Sequence, residues 1–187
     1  IGAAGEDPEG RFLPETYAYV KGDSESSILR RAHGAMDKLL DGAWPGRAKD
    51  LPLASPYEAL ILASIVEKET ARADERPRIA GVVVRRLEQR MLLQTDPTVI
   101  YGMGAAYAGN IHKSDLTTDT PYNTYTRVGL PPTPIALPGR PAILAALHPV
   151  DGKELYFVAR GDGSHVFSAT LDEHNRAVAC YQLKRCK

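Results

Sequence analysis

The run SPYEALILASIVEKET, residues 55–70, decides much of the fold. Ser55 precedes Pro56, and Glu58 follows three residues after Ser55, which is the capping-box pattern with proline at the first helical position. The apolar residues behind this start signal predict a helix from Pro56 to about Ala71.

Glu69 lies at the end of an apolar stripe on this helix. Leu62, Ile65, Val66 and Glu69 have the i, i+3, i+4, i+7 spacing, so they project along one face toward the core. Loss of hydration there raises the pKa of a carboxyl group, as a general acid near neutral pH requires. The alternative is a structural carboxylate paired with an arginine, for which the candidates are Arg72, Arg76 and Arg78. Glu67 points about 160° away, and we expect it to be solvated or ion-paired.

Other helices are predicted on both sides of this segment. Apolar residues from Ile28 to Leu40 recur at helical spacing after a cap at Asp23 or Ser24, and Gly42 ends that helix. The remaining predicted helices run from about Asp74 to Arg90, from the start signal Asp96-Pro97 through Tyr101, from Pro141 to Leu147, and from the cap Asp172 to about Lys184.

The second half also holds two β-rich runs. The runs Glu154 to Arg160 and His165 to Thr170 flank Gly161-Asp162-Gly163-Ser164, which predicts a β-hairpin. A further strand is predicted near Thr16 to Val20. Helices in the first half and a closing hairpin with a final helix indicate an α+β fold, formed by a single domain over residues 1–187.

Residues 102–139 lack helical or strand periodicity and hold five Gly, five Pro and three Tyr. A loop of this length and aromatic content is typical of an ordered functional loop. The amides and rings of Gln94, Tyr122, Asn123 and Tyr125 suit sugar recognition, and they suit loop rigidity nearly as well.

Composition excludes several classes of protein. Apolar residues make up 43% and charged residues 25%, which excludes disorder, coiled coil and collagen, and a net charge of +0 argues against a nucleic-acid partner. The longest apolar run, residues 59–66, is too short to cross a bilayer. Without metal-ligand spacing or a glycine-rich phosphate loop, we expect neither a metal nor an organic cofactor.

The two cysteines, Cys180 and Cys186, lie six residues apart. That spacing puts them on different helical faces, so a bridge between them would require a break in the final helix. We therefore expect one packing residue and one incidental thiol.

A series of motifs resembles one known family. In chain order these are residues 63–70 (ASIVEKET), 93–102 (LQTDPTVIYG), 122–125 (YNTY), 129–132 (GLPP), 134–135 (PI), 148–149 (HP), 155–158 (LYFV) and 165–167 (HVF). The series resembles the MltG (YceG-like) family of endolytic murein transglycosylases, from about Pro8 to Tyr181.

The resemblance implies a lytic transglycosylase of the bacterial cell wall. Such enzymes cut the MurNAc-β-1,4-GlcNAc bond of nascent glycan strands without water, leave a 1,6-anhydro-MurNAc end and act as strand-elongation terminases. The implied catalytic residue is Glu69. One carboxyl group suffices because the 6-hydroxyl of the substrate is the nucleophile.

We expect a substrate groove that ends at Glu69. The segment from Gln94 to Pro134 would form one wall and the hairpin around Tyr156 and His165 the other. The candidate substrate-binding residues are Gln94, Thr95, Asp96, Tyr122, Asn123, Tyr125, Tyr156 and His165, and Glu67 is a candidate helper alongside Asp96.

The resemblance also implies a setting in the cell. The chain would be a catalytic fragment without the membrane helix and the LysM-like segment of its parent. That parent would be a single-pass inner-membrane protein whose catalytic domain faces the periplasm or the cell exterior. Peptidoglycan strands are the expected substrate and peptidoglycan synthases are candidate partners. The alternative function is a non-catalytic glycan-binding or scaffold module of the cell-wall machinery.

Overall fold

The structure of the protein is a computed structural model that describes residue 5 and residues 7–186. The elements are helices and one antiparallel hairpin, which confirms the α+β class. In chain order they are α1 (Glu25–Ala43), α2 (Pro56–Glu69), α3 (Arg76–Glu88), α4 (Asp96–Met103), α5 (Lys113–Thr117), α6 (Arg140–Leu147), β1 (Tyr156–Ala159), β2 (His165–Ser168) and α7 (Leu171–Tyr181), with 3-10 turns at Trp44–Gly46 and Gly104–Ala106. In this part of the chain, no helix is both long and apolar enough to cross a membrane.

Helix α2 is the centre of the hydrophobic core. It packs against α1, α3, α4 and α6, and every residue from 59 to 66 is buried. The face that carries Glu67 is therefore covered as well, since Leu60 and Ala63 on that side are 0% exposed. Both glutamates follow this buried stretch, at the end of the helix where Lys68 is exposed.

The predicted helices differ from the observed ones mainly at their ends. Helix α2 ends at Glu69 because Thr70 is already extended, with φ −148° and ψ 136°. The N-cap of α4 is Thr95, and that of α7 is Thr170, whose hydroxyl accepts from the Glu173 N–H in a capping box. The predicted caps Asp96 and Asp172 lie inside the first turns of these helices, where a carboxylate favours the helix dipole.

The expected strand over residues 16–20 is wrong. The segment pairs with no strand among the described residues, and its Tyr19 and Val20 side chains are exposed. The predicted loop of residues 102–139 also contains the short helix α5, whose first turn is closed by a capping box between His112 and Asp115.

The expectation of two free thiols is also wrong. Cys180 and Cys186 form a disulfide, 4.0 Å apart at their Cα atoms. Helix α7 ends at Tyr181, and Lys184 adopts a left-handed φ of 57°, which turns the chain back toward Cys180. This is the break that the spacing of the cysteines required.

The hairpin and α7 form one layer beside the helices. Strands β1 and β2 pair with Tyr156 opposite Ser168 and Ala159 opposite His165, and α7 packs on both strands. Two arginines of α3 hold the start of β1, since Arg85 Nε donates to the Glu154 carbonyl at 2.7 Å and Arg86 Nε donates to the Leu155 carbonyl at 2.6 Å. The layer is thus fixed to α3 beside the end of α2.

Candidate active site

A cavity of about 480 Å³ lies between the end of α2, the start of α4, the hairpin and α7. Five of the predicted site residues line it, namely Glu69, Gln94, Asp96, Tyr125 and Tyr156. The other lining residues are Arg86, Leu93, Phe157, Val158, Leu171, His174, Asn175 and Val178. Of the segment from Gln94 to Pro134, three residues line one side of the cavity, and the hairpin shares the opposite side with α7.

Glu69 lines this cavity, and the part of the chain that the structure describes offers it no partner. Burial, and then the charge of Asp96, raise the pKa of its carboxyl group from the ordinary 4.5 to about 8. No hydrogen bond or ion pair to that carboxyl group occurs among the described residues. The three arginines considered as its partners pair elsewhere: Arg72 with Asp74 and Glu75, Arg76 with Glu67, and Arg78 with Glu154. A carboxyl group in this state is protonated at neutral pH and can donate a proton.

Glu67 makes contacts that connect α2 to other elements of the fold. Its Oε1 lies 3.5 Å from Nη2 of Arg76, and its Oε2 accepts the backbone N–H of Gly139 at 3.1 Å. These contacts join the end of α2 to the start of both α3 and α6. Glu67 does not line the cavity.

Asp96 and Tyr125 form a polar pair on the cavity wall. The Tyr125 hydroxyl donates to Oδ1 of Asp96 at 2.5 Å. Burial and this bond to a carboxylate raise the pKa of the Tyr125 hydroxyl, so it remains a donor. The pair places a second carboxyl group near Glu69 and holds it in one orientation.

Gln94 and Tyr156 are both held by Arg86. The Arg86 guanidinium is almost fully buried, and its Nη1 donates to the carbonyls of Leu92 and Leu93 at 3.0 and 2.9 Å and to Oε1 of Gln94 at 3.3 Å. The same group lies 5.0 Å from the centre of the Tyr156 ring. Arg86 therefore connects both walls of the cavity.

Besides Glu67, four predicted site residues do not line the cavity, and two of these four organise the loop. The Asn123 side chain is 1% exposed, and its amide donates to the carbonyls of Asp115, Leu116 and Thr118. Its Oδ1 accepts the Tyr125 N–H at 2.8 Å, so Asn123 positions Tyr125. The Tyr122 hydroxyl bonds to Thr133 at 2.8 Å, and its ring packs on Tyr101.

Thr95 and His165 are the other two. Thr95 is buried, where its backbone N–H donates to the Thr124 hydroxyl at 3.1 Å. Nδ1 of His165 lies 2.7 Å from Oε2 of Glu75, a pair that fastens β2 to the N-cap of α3. Both residues thus hold elements that form the walls of the cavity without lining the cavity themselves.

Sequence reasoning missed the contributions of Arg86 and α7. Arg86 follows Ile79, Val82 and Val83 at the i, i+3, i+4, i+7 spacing, which is the signal that singled out Glu69. An arginine at the end of an apolar stripe could have been identified in the same way. The α7 residues gave no comparable signal because polar and apolar side chains share that face.

A model of the YceG-like family matches residues 3–180, which include every residue that lines the cavity. The chain belongs to the YceG-like family. In this YceG-like chain, the described residues contain no group of three or more His, Cys, Asp or Glu side chains that could hold a metal ion.

Two curated relatives are both endolytic murein transglycosylases by name. The chain is 38% identical over 173 residues to an endolytic murein transglycosylase of Bacillus subtilis (strain 168), a match that covers 92% of this chain and 48% of that protein. It is 33% identical over 177 residues to an endolytic murein transglycosylase of Streptococcus pneumoniae serotype 2 (strain D39), covering 91% of this chain and 32% of that protein. The chain thus spans about half or less of the length of these relatives.

A solved structure has a similar fold. A yceG-like protein from Listeria monocytogenes superposes with a TM-score of 0.79 at 38% sequence identity, over 90% of this chain and 54% of that one. The fold described above is therefore shared with an experimentally solved member of the YceG-like family.

Proposed function

We propose that this YceG-like chain is the catalytic portion of an endolytic peptidoglycan lytic transglycosylase, with Glu69 as both acid and base. The observation that carries the proposal is the carboxyl group of Glu69, which lines the cavity, has no partner within residues 7–186 and has a pKa raised to about 8. The names of the two curated relatives, both endolytic murein transglycosylases, support this class of reaction.

The reaction needs one carboxyl group that changes its protonation state twice. Protonated Glu69 gives its proton to the glycosidic oxygen between MurNAc and GlcNAc, and the bond from that oxygen to the anomeric carbon of MurNAc breaks. The 6-hydroxyl of the same MurNAc then bonds to the anomeric carbon and returns a proton to Glu69. No water is consumed, and attack within one sugar gains effective molarity.

Asp96 has an electrostatic role in this mechanism. Glycosidic cleavage develops positive charge on the sugar ring, and a fixed negative charge nearby stabilises it. The bond from Tyr125 holds Asp96 at the cavity. The charge of Asp96 adds to burial in raising the pKa of Glu69, which supports this role. Asp96 thus maintains the acid form of Glu69 before cleavage and offsets the charge that forms afterwards.

The cellular setting is part of the same proposal. A disulfide between Cys180 and Cys186 fits an oxidising compartment, as expected for a protein that acts outside the cytoplasm. A parent anchored in the inner membrane by one helix, a role in ending nascent strands, and an association with peptidoglycan synthases are proposed from the family resemblance.

Digestion of purified sacculi tests the proposal. The wild-type chain should release muropeptides with 1,6-anhydro-MurNAc ends, which mass spectrometry distinguishes from hydrolytic products by the missing water. Glu69→Gln keeps the shape of the side chain but cannot transfer a proton, so release should fall by at least about 10²–10⁴-fold. Glu67→Gln is the matched control and should stay close to wild type.

Two outcomes would contradict the proposal. Near wild-type release by Glu69→Gln would remove Glu69 from the chemistry. Binding of sacculi by the wild-type chain without any release would favour the non-catalytic glycan-binding module instead.

A further inference from the structure

One face of α7 lines the cavity and has no role in the proposed mechanism. Leu171, His174, Asn175 and Val178 follow the i, i+3, i+4, i+7 spacing, so they form one stripe, which we call the α7 face. Its two polar side chains lie between two apolar ones. The stripe therefore offers hydrogen-bonding groups flanked by apolar surface.

His174 is fixed in place and has free hydrogen-bonding capacity. Its ring stacks on Tyr156, with the ring centres 5.2 Å apart and the planes at 25°. Nδ1 is buried without a hydrogen-bond partner among the described residues. Nε2 also has no partner within the described chain, and it is not among the buried unpartnered atoms, which leaves it open to the cavity.

His174 presents an N–H donor to the cavity. Burial, and then the charge of Arg86, lower the pKa of its imidazole, so the ring is neutral at neutral pH. A neutral imidazole carries one N–H, and a buried N–H without an acceptor is rarer in proteins than a buried acceptor without a donor. The proton therefore belongs on Nε2.

Asn175 completes the pattern. Its side chain is exposed beside His174, and its amide offers both an acceptor and a donor. Leu171 next to it is also largely exposed, which leaves apolar surface open at the same site. A donor, an acceptor and an apolar contact are the complement of an acetamido group, which has a carbonyl, an N–H and a methyl.

We propose that the α7 face is a subsite that recognises the acetamido group of one N-acetylhexosamine unit. Nε2–H of His174 donates to the acetamido carbonyl, Oδ1 of Asn175 accepts its N–H, and the methyl packs on Leu171 or Val178. The inference rests on the proposed function, because that function makes an N-acetylated glycan the ligand.

Binding of two uncharged oligosaccharides tests the subsite. The Glu69→Gln chain is titrated in a calorimeter with the tetramer of N-acetylglucosamine and with the tetramer of glucose, which lacks the acetamido groups. Two hydrogen bonds and a methyl contact should favour the N-acetylated tetramer by about tenfold or more in Kd. In the same background, His174→Phe and Asn175→Ala should each reduce that preference to about threefold or less.

Arg176→Ala is the matched control. Arg176 is exposed on α7 one position further along and does not line the cavity, so its replacement should leave the preference intact. His174→Phe keeps an aromatic ring against Tyr156, and circular dichroism verifies that all variants retain the helix.

The outcomes separate this inference from the catalytic proposal. An unchanged preference in His174→Phe and Asn175→Ala, or no measurable binding of the N-acetylated tetramer, overturns the subsite. A preference that depends on the α7 face supports it even where the wild-type chain releases no anhydro ends, because binding to Glu69→Gln needs no turnover.

Discussion

Glu67 and Glu69 are separated by one residue at the end of α2, and among the described residues only Glu67 has a basic partner. Arg76 lies 3.5 Å from Glu67, whereas burial and the charge of Asp96 raise the pKa of Glu69 to about 8. Two identical side chains on one helix thus differ in their environment, and this difference supports Glu69 as the proposed acid.

Glu67→Gln should lower stability and spare activity. The neutral amide keeps an acceptor for the Gly139 N–H but loses the partly buried ion pair to Arg76, so the free energy of unfolding should fall by about 1 kcal/mol. Turnover should remain within about threefold of wild type, since general acid–base catalysis is not removed. Urea denaturation and anhydro-muropeptide release measure the two effects.

Lys68→Gln is the control for this variant, because Lys68 is exposed on the same helix. It should change neither stability nor release. Loss of turnover in Glu67→Gln without loss of stability would argue that Glu67 acts on the substrate.

The pH dependence of the reaction should show the protonation state of Glu69. Because the acid form starts the reaction, kcat/KM should be level below pH 8 and fall about tenfold per pH unit once the pH exceeds the Glu69 pKa of about 8. Asp96→Asn removes the neighbouring charge that raises this pKa, so the descending limb should move to lower pH. Rates on defined glycan strands across the pH range measure the shift.

The amide of Asp96→Asn still accepts a hydrogen bond from Tyr125, which keeps the cavity wall in place. Asp41→Asn, on α1 and outside the cavity, is the charge-matched control and should leave the limb unmoved. A limb that shifts equally in both variants would contradict the coupling between Asp96 and Glu69.

The stability of the protein should also depend on the protonation of Glu69. The folded pKa is raised from 4.5 to about 8, so the folded state binds more protons than the unfolded state between these values. The contribution of Glu69 to the free energy of unfolding is full below pH 4.5 and is lost as the pH rises to about 8, at up to about 1.4 kcal/mol per pH unit. Glu69→Gln lacks this slope, so it should become increasingly more stable than wild type across the interval, and parallel stability curves would refute the pKa shift.

Asn123→Ala should destabilise the loop that carries Tyr125. The substitution removes one acceptor and the donor to three loop carbonyls, which should cost about 2–4 kcal/mol of unfolding free energy. Turnover should also fall because Tyr125 loses its anchor beside Asp96. Asn110→Ala, at an exposed loop position, should have no effect on either quantity. A stable Asn123→Ala variant that fails only in glycan binding would instead make Asn123 a substrate ligand.

Activity should require no metal ion. The mechanism uses a proton carried by Glu69 and a nucleophile supplied by the substrate, so exhaustive treatment with EDTA should leave release of anhydro-muropeptides unchanged. Loss of activity that one divalent ion restores would contradict this expectation.

The sequence by itself determined most of the elements and the candidate acid, but it missed α5 and predicted a strand over residues 16–20 that does not form. The capping pattern before α2, the periodic apolar residues of α1 and α3, and the glycine-rich turn of the hairpin are local signals that act over a few residues. The stripe that ends in Glu69 has the same local origin, since it depends only on helical spacing. The helix ends were less well predicted. Thr95 directly precedes Asp96, and Thr170 lies two residues before Asp172, so each helix start offers two residues that can act as the N-cap.

Only the tertiary structure decided which side chains meet. Glu67 and Glu69 both leave a buried helix, and their roles separate because Arg76 and Gly139 reach one of them across the fold. Asn123 proved to be a support for Tyr125, and His174 reached the cavity because α7 packs on the hairpin. Such contacts join residues far apart in the chain, and their energies depend on burial and on the partner that arrives, which local spacing does not specify.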